Sequence, residues 1–517
     1  MRKYRKLGAP NLTLSAEQIN QLLAEQDLLI SAPDYDGQLE GLAYNSQKVT
    51  ENSLLFIKGR FKAAYLADAL ERGLSALVVP TGFDLSTDLP VWVVKDVPAA
   101  MSILAMAFYD YPQDQLKLIG ITGTKGKTST TYMAYEMLKL ATNDHVALSS
   151  TLEVITGNEP ENHYRAHLTT PESLDLFAWM REAVNNGMQA MVMEVSSQAY
   201  KMERVFGLRF DVGIFLNISP DHVGENEHPT FADYLECKMQ LLDHSDQVII
   251  NADSDHFVEL IERAELDHSR DAIWLYARED EDGNQADVAY QTVSADLRRS
   301  TFAVLENNQQ ARRLGIAGEY ELDIPGDFNQ GNAVAAMMAT RILGTDSSAM
   351  KEALLTVKVP GRMEVLTSKV HGTVYVDYAH NYASIAALLN FAKANSQEGQ
   401  VQIVVGATGN KGVSRRPGIG KAVNQAADVV YLTADDPQFE DPAVIADEIQ
   451  LELTNPKLKI IREMDRVTAI TKAIAAAGPT DVTVLAGKGM DEYQKINGVD
   501  TPYENDLAIA QRLLGNA

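Results

Sequence analysis

The sequence predicts an α/β protein of three domains, and three observations carry that expectation. At 517 residues the chain is long enough for about three units of roughly 150 residues each. Strand-like apolar runs alternate with helical stripes, the pattern of a parallel sheet covered by helices. One loop between such a strand and helix is rich in glycine and carries lysine. The boundaries are expected at 1–112, 113–348 and 349–517.

Residues 1–112 read as a small α/β domain. "LLFIKG" and "SALVVP" are strand-like, and "YLADALERG" between them reads as a helix closed by Gly73. In 113–348, "LKLIGI", "QAMVMEV", "DVGIFLN" and "QVIIN" are buried-strand candidates. "TTYMAYEMLKLA" carries a helical stripe at Met133, Met137, Leu138 and Ala141. "STFAVLENNQQARRLGIAG" reads as two strands joined by an Asn-rich turn, a small antiparallel sheet beside the main one. In 349–517 the strands are "TVYVDYAH", "VQIVVGATG", "DVVYLTADDP", "LKIIREMDR" and "DVTVLAGKG". This is the pattern of a Rossmann-like, doubly wound domain with a mostly parallel sheet. Each strand ends in polar or glycine-rich residues, and in such sheets ligands bind outside the carboxyl ends.

Composition narrows the function classes. Net charge is −26, from 71 acidic and 45 basic residues, a field that disfavours nucleic acid and anionic membrane surfaces. A small anionic substrate needs only a local cationic pocket. The single cysteine, Cys237, excludes an internal disulfide and fits a reducing cytoplasm. The basic start, "MRKYRKLGAPNLTLSAEQ", has no apolar run behind it, unlike a secretory signal. No apolar stretch approaches the roughly 18 residues of a membrane span. The expectation is a soluble cytoplasmic monomer.

The strongest motif is "GITGTKGKTSTT", which follows a strand and opens a helix. Gly123 and Gly126 let the backbone curl so that N–H groups face phosphate oxygens. Lys127 can reach the β/γ-phosphates, and Thr128 can ligate Mg²⁺. The longer Gly-x-x-x-x-Gly-Lys-Thr spacing fails at Ile121, leaving the shorter Thr-Gly-Thr-x-Gly-Lys-Thr form. "MVMEVSSQAY" sets Glu194 at the end of a buried strand, where one carboxylate can hold Mg²⁺ or simply cap a helix. Thr230 and Asp233 resemble a capping box that starts a helix bearing Tyr234, Cys237 and Lys238, with His222 in the loop before it. Spacing alone makes Lys238 a surface lysine and Cys237 an inert thiol. Asp435 and Asp436, in "YLTADDPQFED", end a strand before proline and by themselves read as a turn.

Taken together the motifs resemble the Mur ligases, and within them the UDP-N-acetylmuramoyl-tripeptide synthetases. The matches run in order along most of the chain: "TGTKGKT", "LTTPES", "MEVSSQAY", "NISPDH", "YLECK", "GDFNQGN", "VPGRME", "DYAHN", "RRPGIG", "DDPQ" and "AGKGMDEYQ". The resemblance implies an N-terminal UDP-binding domain, a central ATPase domain and a C-terminal domain that receives the incoming amino acid. ATP is implied at Thr122, Gly123, Thr124, Lys125, Gly126, Lys127, Thr128, Asn332, Arg362 and Asp377. It implies two Mg²⁺ ions, one on Thr128 and one on Glu194, His222 and a carbamoylated Lys238, with Lys127, Lys238, His222 and Glu194 catalytic. Ser46, Thr169, Thr170, Ser196 and Arg204 match positions that hold the UDP-muramoyl-dipeptide. Asp435, Asp436, Pro437, Gln438, Arg416, Gly487 and Asp491 fall where the amino acid is recognised.

Three departures stand out. The N-terminal Asp-Ser-Arg signature is "NSQ", so only Ser46 carries over. The usual Gly-Gly-x-Arg-Asp is "ATGNKG", and Gly-Lys-Gly-His-Glu is "GKGMD", with Met490 and Asp491. Diaminopimelate-adding members carry Asp-Asn-Pro-Arg where this chain has "DDPQ". Their arginine pairs with a distal carboxylate, which Gln438 cannot do. In that frame the Asp435–Asp436 pair favours a terminal ammonium, leaving Arg416 for a carboxylate.

The implied activity is that of an ADP-forming acid–amino-acid ligase. L-lysine is added to UDP-N-acetylmuramoyl-L-alanyl-D-glutamate through an acyl phosphate, as a step of cell-wall synthesis. Ornithine or meso-diaminopimelate in place of lysine, a folylpolyglutamate synthetase-like ligase, and a catalytically silent P-loop regulator are the alternatives. The regulator would be expected to have lost part of the set Thr128, Glu194, His222 and Lys238, all of which are present.

Overall fold

The computed structural model describes residues 12–515 apart from 60, 84–86, 222, 225–226, 280–285, 297 and 397–398. Its three large sheets are each confined to one stretch of chain. The first has five strands, in the order Leu29–Ser31, Val91–Val94, Leu74–Pro80, Ser53–Phe56, Gly41–Ala43. Only the edge strand Leu29–Ser31 runs antiparallel. The helix Ala63–Glu71 lies where the apolar spacing sets it.

The central sheet has eleven strands. Its middle is parallel, with Lys117–Thr122 between Ala190–Glu194 and Phe210–Phe215. Ala190–Glu194 is buried along its whole length, as expected of a strand covered on both faces. Sequence reasoning erred at one edge. The strands Val288–Ala295, Ser300–Glu306 and Gly318–Leu322 are antiparallel but continue the main sheet rather than lying beside it. "ARRLGIAG" is not a strand: Asn308 Oδ1 accepts from the Ala311 N–H at 2.8 Å and turns Ala311–Arg313 into a 3₁₀ turn, so the chain returns later.

The C-terminal sheet has six strands, ordered Glu364–Ser368, Gly372–Asp377, Val482–Ala486, Val401–Val405, Val429–Leu432, Lys459–Arg462. Five are parallel and the first is an antiparallel edge. Beyond them a hairpin, Tyr493–Ile496 with Val499–Pro502, turns through Asn497 and Gly498, both at positive φ.

The first part packs on the central one through an apolar core, Ile103, Met106 and Phe108 against Leu174, Phe177 and Met180, and polar contacts add to it. Lys58 pairs with Glu172, and Tyr44 and Lys48 reach Asp175, joining the first sheet's loops to the central helix Ser173–Asn185. Asp221, from the loop after Phe210–Phe215, accepts from Arg415 at 2.8 Å and from Asn381 Nδ2 at 3.1 Å. No helix among the described residues is long and apolar enough to cross a membrane.

Candidate functional site

The glycine-rich loop links a buried strand to the helix Lys127–Ala141. Gly126 sits at φ +85°, and a Cβ there would lie 2.4 Å from Asn332 Oδ1. Asn332, on the helix Phe328–Ile342, is therefore packed directly against the loop. Lys127 folds back so that Nζ donates to the Gly123 carbonyl at 2.8 Å. Burial holds its pKa below the usual ammonium value. Desolvation likewise brings Lys125 down to about 7, against the pull of Asp221. Thr124 Oγ1 lies 3.1 Å from the Tyr234 hydroxyl, which ties the loop to the helix Phe231–Asp243. Thr122 and Thr128 are buried on either side of the loop.

Lys238, on that same helix, is 2% exposed rather than a surface lysine. Its Nζ donates to the Gly123 carbonyl at 2.8 Å and lies 4.9 Å over the Tyr234 ring. Burial, reinforced by Lys127, keeps its pKa well below the ordinary value. Glu194 is fully buried, with Oε1 accepting from the Thr151 N–H at 2.8 Å and Oε2 from the Thr151 hydroxyl at 3.0 Å. A carboxylate and the Thr128 hydroxyl are hard oxygen donors of the kind Mg²⁺ takes. His222 lies outside the described residues.

A second cluster, His228, Asp233 and Cys237, brings its donor atoms within 4.8 Å of one another. It is a hydrogen-bonded chain rather than an open donor set. His228 uses Nδ1 on Asp233 at 2.6 Å and Nε2 on the Ser197 hydroxyl at 2.8 Å. The Lys201 ammonium already holds Asp233 at 2.8 Å, and burial pushes the Cys237 thiol up to about 11.

A cleft of about 1120 Å³ brings Lys127, Lys238, Thr169, Ser196, Arg204 and Arg362 to one surface. Thr170 stands behind the wall, fully buried. Its hydroxyl donates to the Glu194 carbonyl at 3.0 Å and accepts from the Ser196 N–H at 2.9 Å. Arg204 is fixed by Glu172 at 3.0 Å. Arg362 lies 4.8 Å over the Tyr378 ring. Asp377 accepts from the Met363 and Ala379 N–H groups at 2.9 and 2.7 Å, and burial raises its pKa. Ser46 opens a 3₁₀ turn outside this lining, near the Tyr44 and Lys48 contacts to Asp175.

A smaller cavity of about 190 Å³ is lined by Asp435, Asp436, Asp491, Gly487, Arg415 and His380 among others. Two expectations change there. The aspartates already face an ammonium: Lys488 Nζ lies 2.9 Å from Asp436 and 3.0 Å from Asp491. Arg416 is 1% exposed and held by Glu440 at 3.0 Å and Glu448 at 2.9 Å, so it is not free for a substrate carboxylate. Its neighbour Arg415, itself paired with Asp221 at 2.8 Å, lines both cavities. Pro437 is buried, and Gln438 has φ +55° with its backbone fastened to Lys495 and Asn497 of the hairpin.

Comparison with known proteins agrees with this arrangement. Residues 121–340 match the Mur ligase middle domain, and 361–489 match the Mur ligase glutamate ligase domain. The UDP-N-acetylmuramyl-tripeptide synthetase of Limosilactobacillus reuteri is 49% identical over 498 residues, covering 95% of this chain and 96% of that one. The chain belongs to the Mur ligase family. The UDP-N-acetylmuramoyl-L-alanyl-D-glutamate--L-lysine ligase of Enterococcus faecalis is 42% identical, covering 97% of this chain and 99% of that one. Among solved structures, a UDP-N-acetylmuramoyl-L-alanyl-D-glutamate--2,6-diaminopimelate ligase aligns with TM-score 0.64 at 25% identity, covering 98% of this chain and 99% of that one.

In this Mur ligase several structural partners escaped sequence reasoning. Lys488 sits inside the quoted "AGKGMD" but drew no role, since a lysine after a strand reads as solvated. Thr151 carries no spacing signal, and Asp221 sits inside the quoted "NISPDH" but drew no role. The hairpin that clamps "DDPQ" does carry one, the Asn497-Gly498 dipeptide between two β-prone runs.

Proposed function

We propose that this Mur ligase joins L-lysine to the D-glutamate carboxylate of UDP-N-acetylmuramoyl-L-alanyl-D-glutamate, with ATP converted to ADP and phosphate. The observation that carries the reading is continuity. The phosphate loop and the Thr169–Ser196–Arg204 wall share one cleft, which also takes in Arg415 and Asp491 of the carboxylate-lined cavity. The lysine-adding E. faecalis relative supports the choice of amino acid. The three sheets would serve as three domains divided near residues 112 and 348, working as a monomer in the cytoplasm.

Two anions, acceptor carboxylate and triphosphate, must meet in this cleft. Lys127, freed from the Gly123 carbonyl, would offset their repulsion at the β/γ-phosphates. Arg204, held by Glu172, would orient the acceptor, and Arg362 and Asn332 would flank the nucleotide. Thr128 would hold one Mg²⁺, and Glu194, His222 and Lys238 the other; these ions would supply charge neutralisation of the transferring phosphoryl group. For that role Lys238 must become a carbamate, and a buried neutral amine is the form that adds CO₂, releasing a proton as the N–C bond forms. The acceptor carboxylate takes the γ-phosphoryl group. The lysine α-amine then attacks the acyl phosphate, and phosphate leaves from the tetrahedral intermediate.

Phosphate release from ATP tests the reading. It should require both the muramoyl-dipeptide and lysine; release that depends on neither would contradict it.

A further inference from the structure

The cleft and the smaller cavity share a mouth, lined among the described residues by His380, Thr408, Gly412, Arg415 and Asp491. Most of its polar groups are taken. The Thr408 hydroxyl donates to the Lys411 carbonyl at 3.0 Å, and Arg415 is held by Asp221 at 2.8 Å. Asp491 accepts from Lys488 at 3.0 Å and from the Tyr378 hydroxyl at 3.2 Å. His380 is different. It follows the strand Gly372–Asp377 and stands just before Asn381, whose side chain caps the helix Tyr382–Asn395. Its Nδ1 lies 2.6 Å from the Tyr378 carbonyl. A carbonyl only accepts, so in the neutral ring Nδ1 carries the proton and Nε2 keeps its lone pair. The ring is half-buried, and no described residue hydrogen-bonds Nε2, which stays accessible at the mouth. Burial, reinforced by Lys125 and Arg415, holds the pKa of His380 well below the ordinary imidazole value, so the ring is neutral at pH 7.

We propose that His380 Nε2 is the general base that takes a proton from the α-ammonium of the incoming amino acid where the two cavities meet. The proposal rests on the acyl-phosphate reading above and supplies the base that reading leaves unassigned. Lysine brings its α-nitrogen as an ammonium, with no lone pair to attack. Nε2 takes one proton and frees that lone pair. The N–C bond then forms at the acyl carbon. The C–O bond to phosphate breaks with its electron pair, and the second proton leaves the nitrogen with the phosphate. The imidazolium passes its proton to solvent. The field that keeps the ring neutral, from Lys125 of the phosphate loop and from Arg415, also drives that release. The opposing charges that face the ring are Asp221 and, across the smaller cavity, Asp435, Asp436 and Asp491.

The test compares H380N and H380Q with the unmodified enzyme, on ATP and the muramoyl-dipeptide, with lysine or hydroxylamine as the nucleophile. Hydroxylamine is already a free amine at pH 7 and traps an acyl phosphate as a hydroxamate without a base. Asn keeps a donor for the Tyr378 carbonyl and lacks the ring's second nitrogen. H380N should slow lysine ligation about 100-fold or more at pH 7, a common contribution of a general base, while hydroxamate formation and the ATP KM stay close to wild type. The deficit with lysine should shrink from pH 7 to pH 9, where more of the α-amine is free unaided; a merely structural defect would not recover. Lysine turnover close to wild type in H380N overturns the proposal, and so does an equal loss of lysine ligation and hydroxamate formation. If H380N does not fold, the same outcomes in H380Q decide it. No hydroxamate from the unmodified enzyme would instead sink the acyl-phosphate reading, and the base with it.

Discussion

Asp435→Asn should make the protein more stable and a poorer lysine ligase at the same time. The carboxylate is buried and its pKa rises from the ordinary 3.8 to about 6, chiefly by desolvation. At about 1.4 kcal/mol per unit, the ionised group costs the fold about 3 kcal/mol. The sign follows from linkage: a carboxylate whose folded pKa is raised holds its proton better in the native state. The penalty is absent below the unfolded pKa, grows as pH rises toward 6, and is complete above it. The amide removes that penalty but needs its own partner, so 3 kcal/mol is a ceiling, or roughly 5–10 °C in the melting of a domain this size. The gain should fall to about half at pH 5, where wild-type Asp435 is mostly protonated. Catalysis should move the other way, with kcat/KM for lysine down about 10- to 100-fold and the ATP KM unchanged. Thermal melts at pH 7.5 and pH 5, beside lysine titrations, give both readouts. An Asn variant that melts lower than wild type at pH 7.5 and keeps its lysine KM would refute the reasoning.

Lys238→Ala should abolish turnover and recover part of it with added short carboxylates; full activity without them would argue against a carbamate at this amine. Arg416→Gln should lower stability by about 1–3 kcal/mol, because Glu440 and Glu448 lose their partner at partly exposed sites. Its lysine KM should move far less than that of Asp435→Asn, which direct titration would show. Gly126→Ala should raise the ATP KM at least about tenfold, since a Cβ 2.4 Å from Asn332 Oδ1 at φ +85° must distort the loop. Gln438→Arg alone should not confer good use of meso-diaminopimelate. Its backbone is pinned by the hairpin, and Asp436, Asp491 and Met490 would still shape the pocket; efficient addition by that variant would show otherwise.

The parallel strands were legible because they are buried on both faces and so read as continuous apolar runs, as in Ala190–Glu194. The phosphate loop was legible because its chemistry demands glycine and lysine at fixed offsets. The Asn-rich turn after Glu306 was legible, but the strand after it was placed too early, because Asn308 caps a 3₁₀ turn at Ala311–Arg313 and the chain returns only at Gly318–Leu322. The burial of Lys238 was invisible without the family resemblance, since a lysine four residues from Tyr234 fits a solvated helix face equally well. Asp435 and Asp436 drew notice as a pair. What separates them, a lysine from 52 residues further on that hydrogen-bonds Asp436 and only stands near Asp435, is a tertiary fact.

Product identity tests the central claim most directly. The enzyme would be incubated with ATP, UDP-N-acetylmuramoyl-L-alanyl-D-glutamate and equal concentrations of L-lysine, L-ornithine and meso-diaminopimelate, and the products separated by mass. The account predicts the lysyl tripeptide as the main product. A diaminopimelyl product in excess would contradict it.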